Sequence, residues 1–226
     1  MNILNQTTIT WGNSTSAIEI TFANNLSSKK WSFVAAMLSK KSDVEENILY
    51  RTPDYFLEKI IGGNVMIAID KEEIIGCVCL HRLSEAVLEI GSAWVAEPYR
   101  GKGIYSLLKD GALRHAEMFG REIISTAKVS TNNPSPGLSS SLSRKMLPIS
   151  FETLRHFDQA AYEACCNCDE RRNYRSCHER DKTCILTAKI SDRIGEHLAK
   201  HFISTDEWNN AAINNNLKLR IYNILS

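Results

Sequence analysis

The turn Arg100-Gly101-Lys102-Gly103 narrows the choice of fold more than any other feature of this chain. It lies between an apolar, β-rich run, Val87 to Val95, and an amphipathic stretch from about Ile104 to Phe119. A strand that enters a glycine turn and leaves as a helix aims the unpaired N–H groups of the first helical turn at one spot, which makes an anion site. The aligned peptide dipoles add roughly half a positive charge there. Gly101 and Gly103 let a ligand approach the backbone closely, and Arg100 and Lys102 bring full charges. Phosphate is the natural guest. Other phosphate motifs are missing, since no Gly-Lys-Ser/Thr ends a P-loop and no Gly-x-Gly-x-x-Gly marks a dinucleotide site. By themselves two alternating glycines also describe a plain surface turn, so their surroundings decide.

Those surroundings read as alternating strands and helices. Ala17 to Phe22 alternates like a first strand, and Ser27 or Ser28 caps a helix through Lys41 with Trp31, Val34, Ala35 and Leu38 at helical spacing. Pro53 stands in the first turn of a second helix bearing Tyr55, Phe56, Ile60 and Ile61, which Gly62-Gly63 ends. Val65 to Ile69 and Ile74 to Leu80 form a hairpin around Asp70 to Glu73, and Val87 to Val95 follows as a third run. The helix after the glycine turn shows Leu107, Leu108, Ala112 and His115 on one face and stops at Gly120. Ile123 to Val129 predicts a strand, Ser130 to Gly137 a loop, and Leu138 to Met146 a short helix. Ile149 to Leu154 and Ile185 to Ile190 predict strands on either side of a cysteine-rich segment, and Asp192 to Phe202 and Asp206 to Leu225 predict helices.

This element order, with Trp94-Val95-Ala96-Glu97-Pro98-Tyr99 leading into Arg100-Gly101-Lys102-Gly103-Ile104-Tyr105, resembles the GNAT acyltransferase superfamily over roughly residues 64–146. The superfamily's turn reads Arg or Gln, two residues, Gly, one residue, then Gly or Ala; Arg100 and Gly103 match, and Tyr105 departs from the last position. The resemblance implies an α/β, GNAT-type acyl-CoA N-acyltransferase fold with a mixed central β-sheet flanked by helices. The expected domain covers residues 1–190, with a Cys-rich insertion at about 155–184 before the last strand and a C-terminal helical extension at 191–226. It further implies that acetyl-CoA is the cosubstrate, held by Arg100, Gly101, Lys102, Gly103, Ile104 and Tyr105. Backbone groups of Ala93, Trp94 and Val95, where the superfamily's fourth strand splays from its fifth, would align the pantetheine arm and the thioester carbonyl.

Acyl transfer from a thioester to an amine needs a neutral amine, a polarised carbonyl and a stabilised or protonated leaving thiolate. The resemblance places a carboxylate base at Glu89. Within Val87-Leu88-Glu89-Ile90, Glu89 either faces solvent by simple alternation or enters a cleft with a raised pKa. The superfamily's acid is a tyrosine on the short helix after the fifth strand; Leu138 to Met146 holds none, and Ser143 stands in its place, a poor acid unless water assists. Asn132 or Asn133 matches the superfamily's asparagine that contacts pantetheine, or else forms an Asx turn.

The chain has 226 residues, 43% of them hydrophobic, enough to bury a core, and 7 cysteines. Five cysteines crowd into Cys165-Cys166-Asn167-Cys168, Cys177-His178 and Cys184. Cys165, Cys168, Cys177 and Cys184 make one candidate zinc set, with Cys166 or His178 as substitutes, and a reduced surface loop is the alternative. Cys77 and Cys79 share a strand face and read as small core residues, and His197 and His201 as surface histidines. With 27 Lys plus Arg against 26 Asp plus Glu, the net charge of +1 predicts neither nucleic-acid nor membrane binding. The N-terminus lacks a signal pattern and no run nears roughly 20 apolar residues, so a cytoplasmic location is expected. The functional expectation is N-acetyl transfer to a primary amine, by preference on a small molecule. The alternatives are a protein acetyltransferase that uses the cysteine-rich segment and the C-terminal helices to hold its target, and a noncatalytic acyl-CoA-binding module. Trp208 to Leu225 offers a face for a homodimer.

Overall fold

The computed structural model describes residues 5–11, 14–45, 48, 50–128, 146–148, 151–166 and 184–189. Strands β1 (Asn5–Trp11) and β2 (Ser14–Phe22) lead into helices α1 (Ser28–Val44) and α2 (Pro53–Ile61). Strands β3 (Val65–Asp70), β4 (Glu73–Arg82) and β5 (Val87–Val95) follow, then α3 (Ile104–Met118) and β6 (Glu122–Lys128). Strand β7 (Met146–Pro148), helices α4 (Phe151–Phe157) and α5 (Gln159–Cys166), and strand β8 (Cys184–Lys189) complete the described elements. All eight strands join one sheet in the order β1-β2-β3-β4-β5-β6-β8-β7. Every neighbouring pair is antiparallel except β5 and β6, which run parallel because α3 carries the chain back between them.

Strand alternation sorts the core onto the two faces of this sheet. Val78 and Leu80 of β4 and Leu88 and Ile90 of β5 pack against Ile104, Leu108, Ala112 and Ala116 of α3. Their neighbours Cys77, Cys79 and Trp94 turn the other way, toward Val34, Ala35 and Leu38 of α1 and Phe56 and Ile60 of α2. A third cluster, Val87, Ile124, Leu154, Ala161, Cys165, Leu186 and Ala188, seats α4 and α5 on the far half of the sheet. The nine residues of α2 are too few to form a stable helix in water. Its Thr52 hydroxyl accepts from Tyr55 N–H at the N-cap, and full burial of Phe56 and Ile60 contributes about 1.5–3 kcal/mol each. Burial therefore outweighs the cap in holding this helix down.

Several sequence expectations shift. The run at Ala17 to Phe22 is the second strand, since the polar segment Asn5–Trp11 pairs with it as β1 through backbone bonds that its Thr-rich sequence does not advertise. Helix α1 begins after Ser27, whose side chain makes no capping bond, and continues to Val44. Ile149 to Leu154, expected as a strand, contributes instead to α4 from Phe151 onward, and the place beside β8 belongs to Met146–Pro148, which was expected to end a helix. A short apolar run is ambiguous between the two states, and Leu154, fully buried against β6 and β8, resolves it in favour of the helix. The remainder of the expected short helix, the middle of the cysteine-rich segment and residues 191–226 lie outside the described residues.

Candidate active site

The glycine turn takes the form the anion argument requires. Gly101 and Gly103 have φ of +74° and +81°, conformations that favour glycine, and Gly103 is the N-cap of α3. A Cβ built at either glycine meets nothing within 4 Å among the described residues, so the turn is uncrowded at both positions. The turn is braced from three sides. Tyr99 donates its hydroxyl to buried Asp70 at 2.8 Å, which ties the preceding 3-10 turn to the end of β3. Arg100 donates through Nε to the Val95 carbonyl at 3.0 Å and through Nη2 to Glu45 at 2.8 Å. Its guanidinium thus joins β5, the turn and the end of α1. Lys102 lies over the Tyr99 ring, 5.5 Å from its centre. Gly76 lets α3 come this close to the sheet: a Cβ there would sit 3.1 Å from the Trp94 carbonyl and 3.2 and 3.3 Å from Leu108 and Ile104.

Beside the turn, the sheet divides. Strands β5 and β6 pair only from Val87 with Glu122 to Ile90 with Ser125. Beyond that point β6 continues its ladder with β8, while Gly91 to Val95 stays with β4 through a register shift, with Ser92 at φ +45°. Ala96 donates to Ile75 of β4, so by alternation Trp94 also faces β4 while Val95 and Ala93 turn their N–H groups toward the gap. The Trp94 side chain is buried in the α1/α2 cluster, with Lys41 Nζ 4.8 Å from its ring centre. Of the three residues expected to align the cosubstrate from this strand, Ala93 and Val95 border the gap with their backbone and Trp94 does not.

Glu89 shares the α1/α2 face of the sheet, half-buried, directly across the ladder from His81. Both side chains belong to a polar group that the sequence reading did not assemble. Tyr55 Oη and His81 Nδ1 are 2.6 Å apart, and Ser92 Oγ stands 3.5 Å from His81 Nε2. Gly91 makes room for the imidazole, since a Cβ there would lie 2.7 Å from His81 Cδ2. Arg51 and Lys59 flank the Tyr55 ring at 5.0 and 5.3 Å from its centre. Burial, helped by the positive charges of Lys59 and Arg51, pushes the His81 pKa down to about 3, so the ring is neutral at ordinary pH. Burial likewise lifts Tyr55 to about 12, and a protonated phenol donating to Nδ1 leaves the ring proton on Nε2, facing Ser92. The chain of contacts Tyr55–His81–Ser92 therefore runs from α2 to the bulge at the lip of the gap. One signal in the sequence marks His81: it has the same strand parity as Cys77 and Cys79. Tyr55 was hidden by its aromatic character, which reads as core.

The buried Cys77 and Cys79 behave as core residues, with thiols that burial holds far up the scale, Cys77 at about 12, so neither is a nucleophile at neutral pH. Cys165 is also buried, in the third apolar cluster. Among the described residues no three His, Cys, Asp or Glu side chains gather as a metal site. Cys168 and Cys177 lie outside the described residues, as do Asn132, Asn133, Ser143, His197 and His201, and of Cys184 only its place at the start of β8 is described.

Residues 34–138 match the model of the acetyltransferase (GNAT) family. No protein of curated function matches the chain in sequence. Among solved structures, N-acetylglutamate synthase from Neisseria gonorrhoeae, complexed with coenzyme A and N-acetyl-glutamate, is similar at 15% identity and a TM-score of 0.54. The match covers 77% of this chain but only 35% of the synthase. Rv2747 from Mycobacterium tuberculosis, in complex with CoA, is similar at 13% identity and a TM-score of 0.51 over 71% of this chain and 95% of its own. A GNAT acetyltransferase from Streptococcus pneumoniae is similar at 15% identity and 0.51 over 76% and 98%. At these identities the likeness is one of fold.

Proposed function

We propose, from the match of residues 34–138 to the acetyltransferase (GNAT) family, that this protein transfers the acetyl group of acetyl-CoA to a primary amine on a small molecule. The observation that carries the reading is the open pair of left-handed glycines at the head of α3, set next to the place where β5 and β6 part. The turn would take the pyrophosphate on its backbone N–H groups. The gap would take the pantetheine arm, with the Ala93 and Val95 backbone bordering it as an extended strand would.

The reacting groups then meet on the α1/α2 face. The amine attacks the thioester carbonyl carbon, the C–N bond forms as the C–S bond breaks, and the amine's proton passes to a base while the thiolate gains one. Glu89 is the carboxylate placed for the first role, directly or through water. His81, held neutral and hydrogen-bonded by Tyr55, orients donors beside it without competing for the proton. The acceptor half of the site is built from α1, α2 and the ends of β4 and β5, so acceptor choice rests with these elements.

Calorimetric titration with acetyl-CoA tests the reading. Micromolar binding by the wild type should vanish in Gly103→Pro, which removes a backbone donor and cannot adopt φ of +81°. Glu89→Gln should keep that binding and lose about a hundredfold or more in turnover followed by thiol release. A folded wild type that does not bind acetyl-CoA refutes it.

A further inference from the structure

We infer that the acceptor carries a carboxylate as well as its amine, and that Arg51 is the residue that binds it; this rests on the acetyltransferase reading above. The backbone of Arg51 is gripped by two buried serines of α1. Ser39 Oγ donates to the Arg51 carbonyl at 2.7 Å, and Ser42 Oγ accepts from the Arg51 N–H at 3.1 Å while donating to the Ser39 carbonyl at 2.8 Å. Two interior hydroxyls thus fix the starting point of one side chain immediately before α2. That side chain lies over Tyr55 and its guanidinium is hydrogen-bonded to the Tyr55 side chain, while its buried Nε has no hydrogen-bond partner among the described residues. Among the described residues no carboxylate pairs with it in a salt bridge. Leaving a buried donor of a charged group unmade is unfavourable, and a ligand that accepts from it removes the penalty.

The surrounding charges specify which ligand. Lys59 approaches the same ring from the next turn of α2, and both cations bear on His81. Glu89, across the ladder from His81, bears on Tyr55 with the opposite charge. A cationic end at Arg51 and Lys59 and an anionic end at Glu89 complement a molecule whose carboxylate and amine are separated by a few bonds, as in an amino acid. A guanidinium binds a carboxylate through two parallel hydrogen bonds, which gives orientation along with affinity. With the carboxylate fixed at Arg51, the amine points along Tyr55 and His81 toward the bulge at Ser92, where the sheet opens.

Two measurements test this assignment. Thiol release from acetyl-CoA is followed with matched pairs of L-amino acids and their carboxamides. Separately, the Arg51 Nε–H resonance, assigned by its loss in Arg51→Gln, is titrated with N-acetylglycinate and with N-acetylglycinamide. The acids should exceed the amides at least about tenfold in kcat/KM, and Arg51→Gln should raise acceptor KM about ten- to a hundredfold and erase that preference while acetyl-CoA affinity holds. The carboxylate probe should move the resonance and the amide should not. Equal use of acids and amides, or a resonance indifferent to the carboxylate in protein that binds acetyl-CoA, overturns the assignment. Absence of acetyl-CoA binding refutes the functional reading instead, and the resonance titration still decides whether Arg51 binds carboxylate.

Discussion

His81 carries a pH signature that follows from its surroundings. Its native pKa of about 3 lies below the ordinary histidine value of 6.5, so between these limits the unfolded chain binds a proton that the folded one refuses. Above 6.5 both states are neutral and the histidine contributes no pH dependence. As pH falls from 6.5 toward 3 the native state loses stability, at a limiting slope of about 1.4 kcal/mol per pH unit. Urea midpoints of wild type and His81→Gln should therefore converge as pH is lowered through this window, or cross if the wild type starts close to the variant; parallel curves would contradict a buried neutral imidazole. At this scale the sequence was informative for the turn, because Gly101 and Gly103 stand between a β-rich run and a helical one, where left-handed backbone favours glycine. It was uninformative for Arg51, Tyr55 and His81, whose roles depend on neighbours 26 positions apart, as between Tyr55 and His81. Glu89 was a candidate through the family resemblance, strand alternation left solvent and cleft both open, and its half-burial required the partner strand.

The contact between α3 and β4 sets where the glycine turn sits. Gly76 is the point of closest approach, and Gly76→Val would drive a branched side chain into the Trp94 carbonyl, Leu108 and Ile104. Overpacking of this kind costs about 1–3 kcal/mol. It should also weaken acetyl-CoA binding, because Ile104 belongs to the first turn of α3; denaturant titration and calorimetry on one sample check both effects, and a destabilised variant with wild-type affinity would uncouple them. The elements with a strong period or clear punctuation, α2, β3, β4, β5, α3 and β6, were legible within a few residues. Those that failed share a cause: β1 has little apolar pattern, and the Ile149 to Leu154 run satisfied either period, so tertiary contacts chose.

Across the whole molecule, the parting of β5 from β6 joins the α3 side of the sheet to the acceptor side. If cosubstrate occupies the gap, addition of acetyl-CoA should slow amide hydrogen exchange at Ala93 and Val95, whose N–H groups face it, and leave the β2–β3–β4 ladder unchanged. Protection spread evenly over the sheet would instead indicate general stabilisation by ligand. The sequence alone determined the order of strands and helices through the middle of the chain and the glycine turn at the head of α3. Both follow from local rules: side-chain periodicity and the conformational freedom of glycine. Only the tertiary structure decided that β5 would leave β6 after Ile90, that Arg100 would brace the turn, and that Arg51, Tyr55, His81 and Glu89 would gather on one face. Those outcomes depend on which strands become neighbours and on what burial does to charge, and neither is a property of any single segment.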